Sequence, residues 1–152
     1  MTELAQSEAE AVARARDAPM LEQTLDWVSI NSGTRNLAGL ATMAEKLAKA
    51  FGALPGTLRL VAPDPVEQVA PDGTRATLDH GRHLHLVVRP QAPVQLLFTG
   101  HMDTVFPADH VFQQPRILAD GRVNGPGAAD MKGGLAILLA ALHAVEHSPV
   151  AE

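Results

Sequence analysis

Val94-Gln95-Leu96-Leu97-Phe98-Thr99 runs without a break into Gly100-His101-Met102-Asp103-Thr104. The first six residues are nearly all apolar, which predicts a strand covered on both faces. Working outward, residues 3–17 are rich in Ala, Glu and Arg and favour helix by propensity. Leu21, Leu25 and Val28 recur at helical spacing, and that helix should stop near Asn31-Ser32-Gly33. Leu37, Leu40, Ala44, Leu47 and Phe51 then form one apolar stripe, closed by Gly52 with Pro55 beyond. Thr57–Val61 alternates as a strand does, residues 62–82 predict a loop with a short hairpin, and His83–Val88 reads as a strand. Downstream, Arg116–Ala119 and Arg122–Asn124 flank Asp120-Gly121, a strong hairpin signal. A last helix should start near Met131 and reach about His147, burying Leu135, Leu138, Leu139 and Leu142, with Pro149 ending it. Helices on both sides of a doubly covered strand indicate an α/β class, with helices layered on a sheet. A crossover helix normally returns the chain to its sheet, and the last helix has no strand after it. The sheet is therefore expected to be incomplete at its C-terminal side, as the first part of something longer.

The chain has 152 residues, enough for one domain with a real core. Apolar residues at 46% and charged residues at 19% fit a globular protein rather than a disordered one. A net charge of −5 without a basic stripe argues against a nucleic-acid partner. Four Phe, one Trp and no Tyr leave no platform for stacking bases. The absence of Cys removes disulfides, thiolate metal sites and cysteine nucleophiles together. Leu135–Leu142 is the longest apolar run, well short of the ~20 residues of a membrane span. With no apolar segment near the N-terminus, a soluble, cytoplasmic protein without a membrane partner is the expectation.

In open α/β sheets ligands bind beyond the carboxyl ends of strands, which is where His101 falls. If the segment stays extended, residues 101 and 103 point to the same side. His101 could then ligate a metal while Asp103 holds its other ring nitrogen, an arrangement that fixes the tautomer. Spacing alone favours a plain His–Asp hydrogen bond without metal. The second element is Asn124-Gly125-Pro126-Gly127-Ala128-Ala129-Asp130-Met131-Lys132-Gly133-Gly134. Its glycines permit tight turns, and Asp130 sits where a loop enters a helix. That carboxylate could bridge two cations. It could as well simply cap the helix, and spacing alone favours the cap.

Three other patterns are weaker. Gly125-x-Gly127 would need a third glycine at position 130, which is Asp, so the dinucleotide fingerprint fails. Lys132 lacks the Gly before it and the Ser or Thr after it that a phosphate loop requires. His143-Ala144-Val145-Glu146-His147 fits H-x-x-E-H, yet His also belongs naturally at the negative end of a helix. His80, His83, His85 and His110 receive no ligand role, although His110 is placed to line a pocket mouth.

LLFTGHMDTVFP (96–107) and NGPGAADMKGG (124–134), taken together, resemble the dinuclear-zinc amidohydrolases and exopeptidases. These include glutamate carboxypeptidase, acetylornithine deacetylase, succinyl-diaminopimelate desuccinylase and aminoacylase; the Gly-Pro-Gly form looks most like the glutamate carboxypeptidase branch. The likeness covers most of the chain from about residue 20. It implies an α/β/α catalytic domain. It implies that His101 ligates one zinc, that Asp103 orients it, that Asp130 bridges both ions, and that the Asp130–Met131 peptide is often cis. Co2+ or Mn2+ would suit the same donors. The implied chemistry is hydrolysis of a peptide or N-acyl amino acid amide bond, with zinc activating water and polarising the carbonyl.

The chain departs from the family pattern in one large respect. The family places a Glu-Glu pair on the strand after the last helix, one Glu as general base and one as ligand, and no such pair occurs here. Further ligands and a dimerisation domain would follow in a longer parent, for which a homodimer is the implied assembly. Residues 1–152 therefore correspond to the N-terminal portion of a catalytic domain, expected to be inactive alone. The alternatives are a short, non-catalytic binding module that kept a partial metal site, and a nucleotide-binding α/β domain, already weakened by the failed glycine patterns.

Overall fold

The computed structural model describes residues 4–151. Four helices are α1 (Gln6–Arg16), α2 (Met20–Val28), α3 (Leu37–Phe51) and α4 (Gly133–Glu146). Six short strands are β1 (Thr57–Val61), β2 (Val66–Val69), β3 (Arg75–Leu78), β4 (His83–Val87), β5 (Arg116–Ile117) and β6 (Val123–Asn124). The described residues thus mix helix and strand, which is compatible with the expected α/β class, but three helices precede the six strands and one follows them. Glu3, where the first helix was expected to begin, lies outside the described residues.

The helices follow from local chemistry. α1 has Glu8 in its first turn, accepting from the Ala5 N–H at 2.7 Å, and Arg14 and Arg16 in its last, matching the helix dipole. Asn36 caps α3 by accepting from the Gly39 N–H at 3.1 Å. The buried stripe of α3 is Leu40, Met43, Ala44, Leu47 and Phe51, while Leu37 is left exposed. In α2 the inward residues are Trp27 and Val28, with Met20 packed against the core, a spacing of 0, 7 and 8. Leu21 falls on the other side of that stripe and faces solvent. Trp27, Met43, Leu47, Phe51, Leu54, Leu135, Ala136 and Leu139 join α2, α3 and α4 into one cluster.

β1 and β4 pair antiparallel, placing Leu58 opposite Leu86 and Leu60 opposite Leu84. Leu58, Leu84 and Leu86 pack against the helical core. His83 and His85 point to the other, exposed face with ring centroids 6.2 Å apart. β2–β3 and β5–β6 are the two hairpins expected from the turn residues.

The sheet departs most from expectation. Val94–Thr99 forms no ladder with any described residue, and the described strands make three separate antiparallel pairs rather than one layered sheet. Val94, Leu96, Leu97 and Phe98 are 75%, 76%, 88% and 56% exposed. An apolar run becomes a strand only when a neighbouring backbone accepts from it and donates to it. Sequence pattern reports the readiness to pair and not the partner.

By length and composition Ala128–Glu146 (19 residues, mean hydropathy 1.4) resembles a membrane span. Its first turns are not regular helix: Asp130 and Met131 have non-helical backbone angles, so α4 itself is 14 residues. At 1.5 Å per residue this reaches about 21 Å, short of a ~30 Å hydrocarbon core. Its Leu135, Ala136 and Leu139 are already buried against α2 and α3.

Candidate metal centre

Three segments distant in sequence meet at one point. The first is the loop Asn31–Thr34 after α2, the second is His101–Thr104, and the third is the turn Gly127–Lys132 before α4. The first two run side by side. Gly33 and Thr104 form a parallel bridge, with the Thr104 N–H donating to the Ser32 carbonyl at 2.9 Å and the Thr34 N–H donating to the Thr104 carbonyl at 3.0 Å. The Ser32 hydroxyl donates to the Met102 carbonyl at 2.7 Å. A Cβ on Gly33 would strike the carbonyl of Phe106, so only glycine lets the two backbones come this close. Asn31 Nδ2 adds bonds to the Phe106 and Pro107 carbonyls at 3.1 and 3.2 Å.

The third segment is a wide turn closed by the Lys132 N–H on the Gly127 carbonyl at 2.8 Å. Gly127 sits at φ 77°, and a Cβ there would come within 2.7 Å of Thr104 Cγ2. The Asp130–Met131 peptide is cis. Lys132 anchors the turn from beneath. It is 1% exposed and donates from Nζ to the carbonyls of Trp27 at 3.0 Å and Ile30 at 2.7 Å, where α2 ends. A cation suits the negative end of that helix, although burial lowers the Lys132 pKa to about 8.

On this scaffold His101 Nε2 lies 2.9 Å from Asp130 Oδ1. His101 Nδ1 faces the Asp103 carbonyl at 3.1 Å and Asp103 Oδ1 at 3.2 Å. Partial burial pulls the His101 pKa down, but the hydrogen bond with Asp130 and the contacts with Asp103 outweigh it, and the net shift is upward. The carboxylate at 130 does not cap α4. Its backbone is extended, α4 begins after Lys132 without a side-chain cap, and the Asp130 side chain is 86% exposed and turned toward the imidazole.

The donor set bears on a metal directly. Zinc ligands at about 2.0–2.1 Å in tetrahedral directions lie roughly 3.3 Å from one another. An imidazole nitrogen and a carboxylate oxygen 2.9 Å apart fit one edge of that tetrahedron after a small opening. Asp103 lies at the opposite ring nitrogen, away from the His101 Nε2–Asp130 approach. Among the described residues no three His, Cys, Asp or Glu side chains surround one point in the manner of a metal site.

The other candidates lie elsewhere. Glu146 receives both Arg89 guanidinium nitrogens at 2.8 Å, and Arg89 holds its carboxyl below the usual range. His147 Nδ1 lies 2.8 Å from the His143 carbonyl. The H-x-x-E-H match is therefore a finished helix end, with its carboxylate already taken. His110 Nδ1 accepts from the Phe112 N–H at 3.0 Å. The neighbouring concavity, about 360 Å³, is lined by Val111, Phe112, Gln113, Arg116, Leu118 and Asn124 and includes neither His101 nor Asp130.

The sequence reading passed over Thr34, Asn31, Ser32 and Lys132. Their partners lie 69 to 105 residues away, and no short-range pattern carries such a relation. The one local trace is a polar run, Asn-Ser-Gly-Thr, where an amphipathic helix gives out.

The fold and site define a mixed helix–strand chain whose His and Asp donors converge at the end of an extended segment. Residues 97–151 match the sequence model of peptidase family M20/M25/M40. It is 46% identical over 56 residues to succinyl-diaminopimelate desuccinylase 2 of Shewanella loihica, covering 34% of this chain and 15% of that protein. It is 37% identical over 65 residues to succinyl-diaminopimelate desuccinylase of Helicobacter pylori, covering 41% of this chain and 17% of that protein. The matched segments thus span about a sixth of these curated relatives.

Proposed function

We propose that this chain supplies the first two metal donors, His101 and Asp130, of a metal-dependent amide hydrolase acting on a small peptide or N-acyl amino acid. The observation that carries this is the 2.9 Å approach of His101 Nε2 to Asp130 Oδ1, made by residues inside the segment that matches the peptidase family. Zinc suits the pair, and Co2+ or Mn2+ would be accepted by the same ligands. When bound, the ion supplies Lewis-acid polarisation of the amide carbonyl and activation of water. His101 and Asp130 hold it, and Asp103 keeps the His101 ring turned so that Nε2 faces the ion. The N-acyl class of substrate rests on the names of the two desuccinylase relatives.

The same reading treats Val94–Thr99 as one strand of a layered α/β/α sheet that polypeptide beyond the described residues completes. The support is its run of apolar side chains, each more than half exposed at positions 94, 96, 97 and 98. A catalytic zinc usually takes three protein ligands. Two donors should therefore bind weakly, and this chain alone should show no amide turnover.

Isothermal titration with zinc at pH 7.5 tests the site. The wild-type chain should bind, and H101A and D130A should each weaken binding at least tenfold while leaving the far-UV spectrum unchanged. Absence of binding by the wild type, or equal binding by all three proteins, would overturn it.

A further inference from the structure

We propose that Thr34 is a positioning residue for His101, acting through the Asp103 carboxylate; the inference rests on His101 being the metal-facing ring. The Thr34 hydroxyl donates to Asp103 Oδ2 at 2.6 Å. The other oxygen, Oδ1, is the one that lies 3.2 Å from His101 Nδ1. One carboxylate is thus gripped from both sides, and the chain of contacts runs Thr34, Asp103, His101, Asp130 without a gap.

The grip matters because Asp103 is not held by burial. Its side chain is 36% exposed, and a carboxylate open to water rotates broadly about its last torsion. An O–H to carboxylate bond of 2.5–2.7 Å belongs to the strong, charge-assisted class. The donor itself is fixed. Its backbone is registered against Thr104, and its β-branched side chain has few χ1 choices. The hydroxyl has one competing acceptor, the Thr104 carbonyl at 3.2 Å. That carbonyl already takes the Thr34 N–H at 3.0 Å, so the shorter, charged partner holds the proton. Partners that orient a metal-binding imidazole typically change metal affinity by 10–100-fold when removed. Thr34 acts one step further out, so the lower end of that range applies.

The test compares wild type, T34V and T34S in the full chain, with two readouts. The first is zinc affinity by isothermal titration. The second is the ¹⁵N shifts of the His101 ring in the metal-free chain at one fixed pH, which report how the hydrogens are shared between Nδ1 and Nε2. T34V, which keeps the shape and loses the donor, should bind zinc about tenfold more weakly and move the Nδ1 shift. T34S, which keeps the donor, should stay within about threefold of wild type and leave the ring shifts in place. If T34V leaves either readout at the wild-type value, or T34S fails to rescue, Thr34 only packs the loop and the inference is overturned. If wild type itself takes no zinc, the metal reading is what fails. The ring shifts then decide Thr34 alone: movement in T34V with rescue in T34S supports it, and any other pattern overturns it.

Discussion

Residues 94–98 and residues 101–104 are neighbours on one stretch of chain, yet they are held in opposite ways. The first group is apolar and exposed, with no ladder to any described residue. The second is clamped by the loop Asn31–Thr34 through two backbone bonds and the Ser32 hydroxyl. The difference teaches where order comes from here. Burial orders a strand only when something covers it, whereas a hydrogen-bonded clamp orders a polar loop with material already in the chain. The His101–Asp130 pair is therefore set by residues the chain possesses, while the segment that leads to it has no ladder partner among the described residues.

Lys132 is the largest lever on the clamped region. Lys132→Ala removes a buried side chain and the donor to the Ile30 carbonyl, and should cost about 2–4 kcal/mol in urea unfolding. A loss under about 0.5 kcal/mol would show that the turn before α4 is held by other means.

The same residue gives a pH signature of similar size. Burial lowers its folded pKa to about 8, below the ordinary lysine value of 10.5. The unfolded chain then binds more protons between those values, so stability should rise with pH across that window, by roughly 3 kcal/mol at most. With no Tyr and no Cys in the chain, few other groups titrate there. Lys132→Met should flatten the profile. A wild-type urea midpoint that falls between pH 8 and 10 would contradict the buried, weakly protonated ammonium.

The smallest effect belongs to the uncovered segment. Leu97→Lys changes a side chain that is 88% exposed, and should alter stability by less than about 0.5 kcal/mol while lowering the tendency to aggregate. A loss above about 1.5 kcal/mol would mean the segment is covered in solution, and the contrast between the two regions would collapse.

Much of this was legible in the sequence, for identifiable reasons. Leu40, Leu47 and Phe51 of α3, and Leu135 and Leu139 of α4, follow the helical period and are buried. The Asp-Gly turn gave its hairpin. His101 and Asp130 drew attention through glycine-rich surroundings and through resemblance, and they do approach one another. The failures share a cause. A layered sheet is a relation between segments, and Val94–Thr99 carries no mark of its partner. Leu21 kept the helical period and still faces solvent, because Trp27 and Val28 set the inner face of α2. Thr34 and Lys132 act across 69 and 105 residues, a span that periodicity does not reach.

Anomalous scattering from zinc-soaked crystals of the chain is the most direct check on the shared cation. A peak about 2.0–2.1 Å from both His101 Nε2 and an Asp130 carboxylate oxygen is expected. A peak on any other group, such as His83 and His85 or His143 and His147, with His101 still bonded to Asp130, would contradict it.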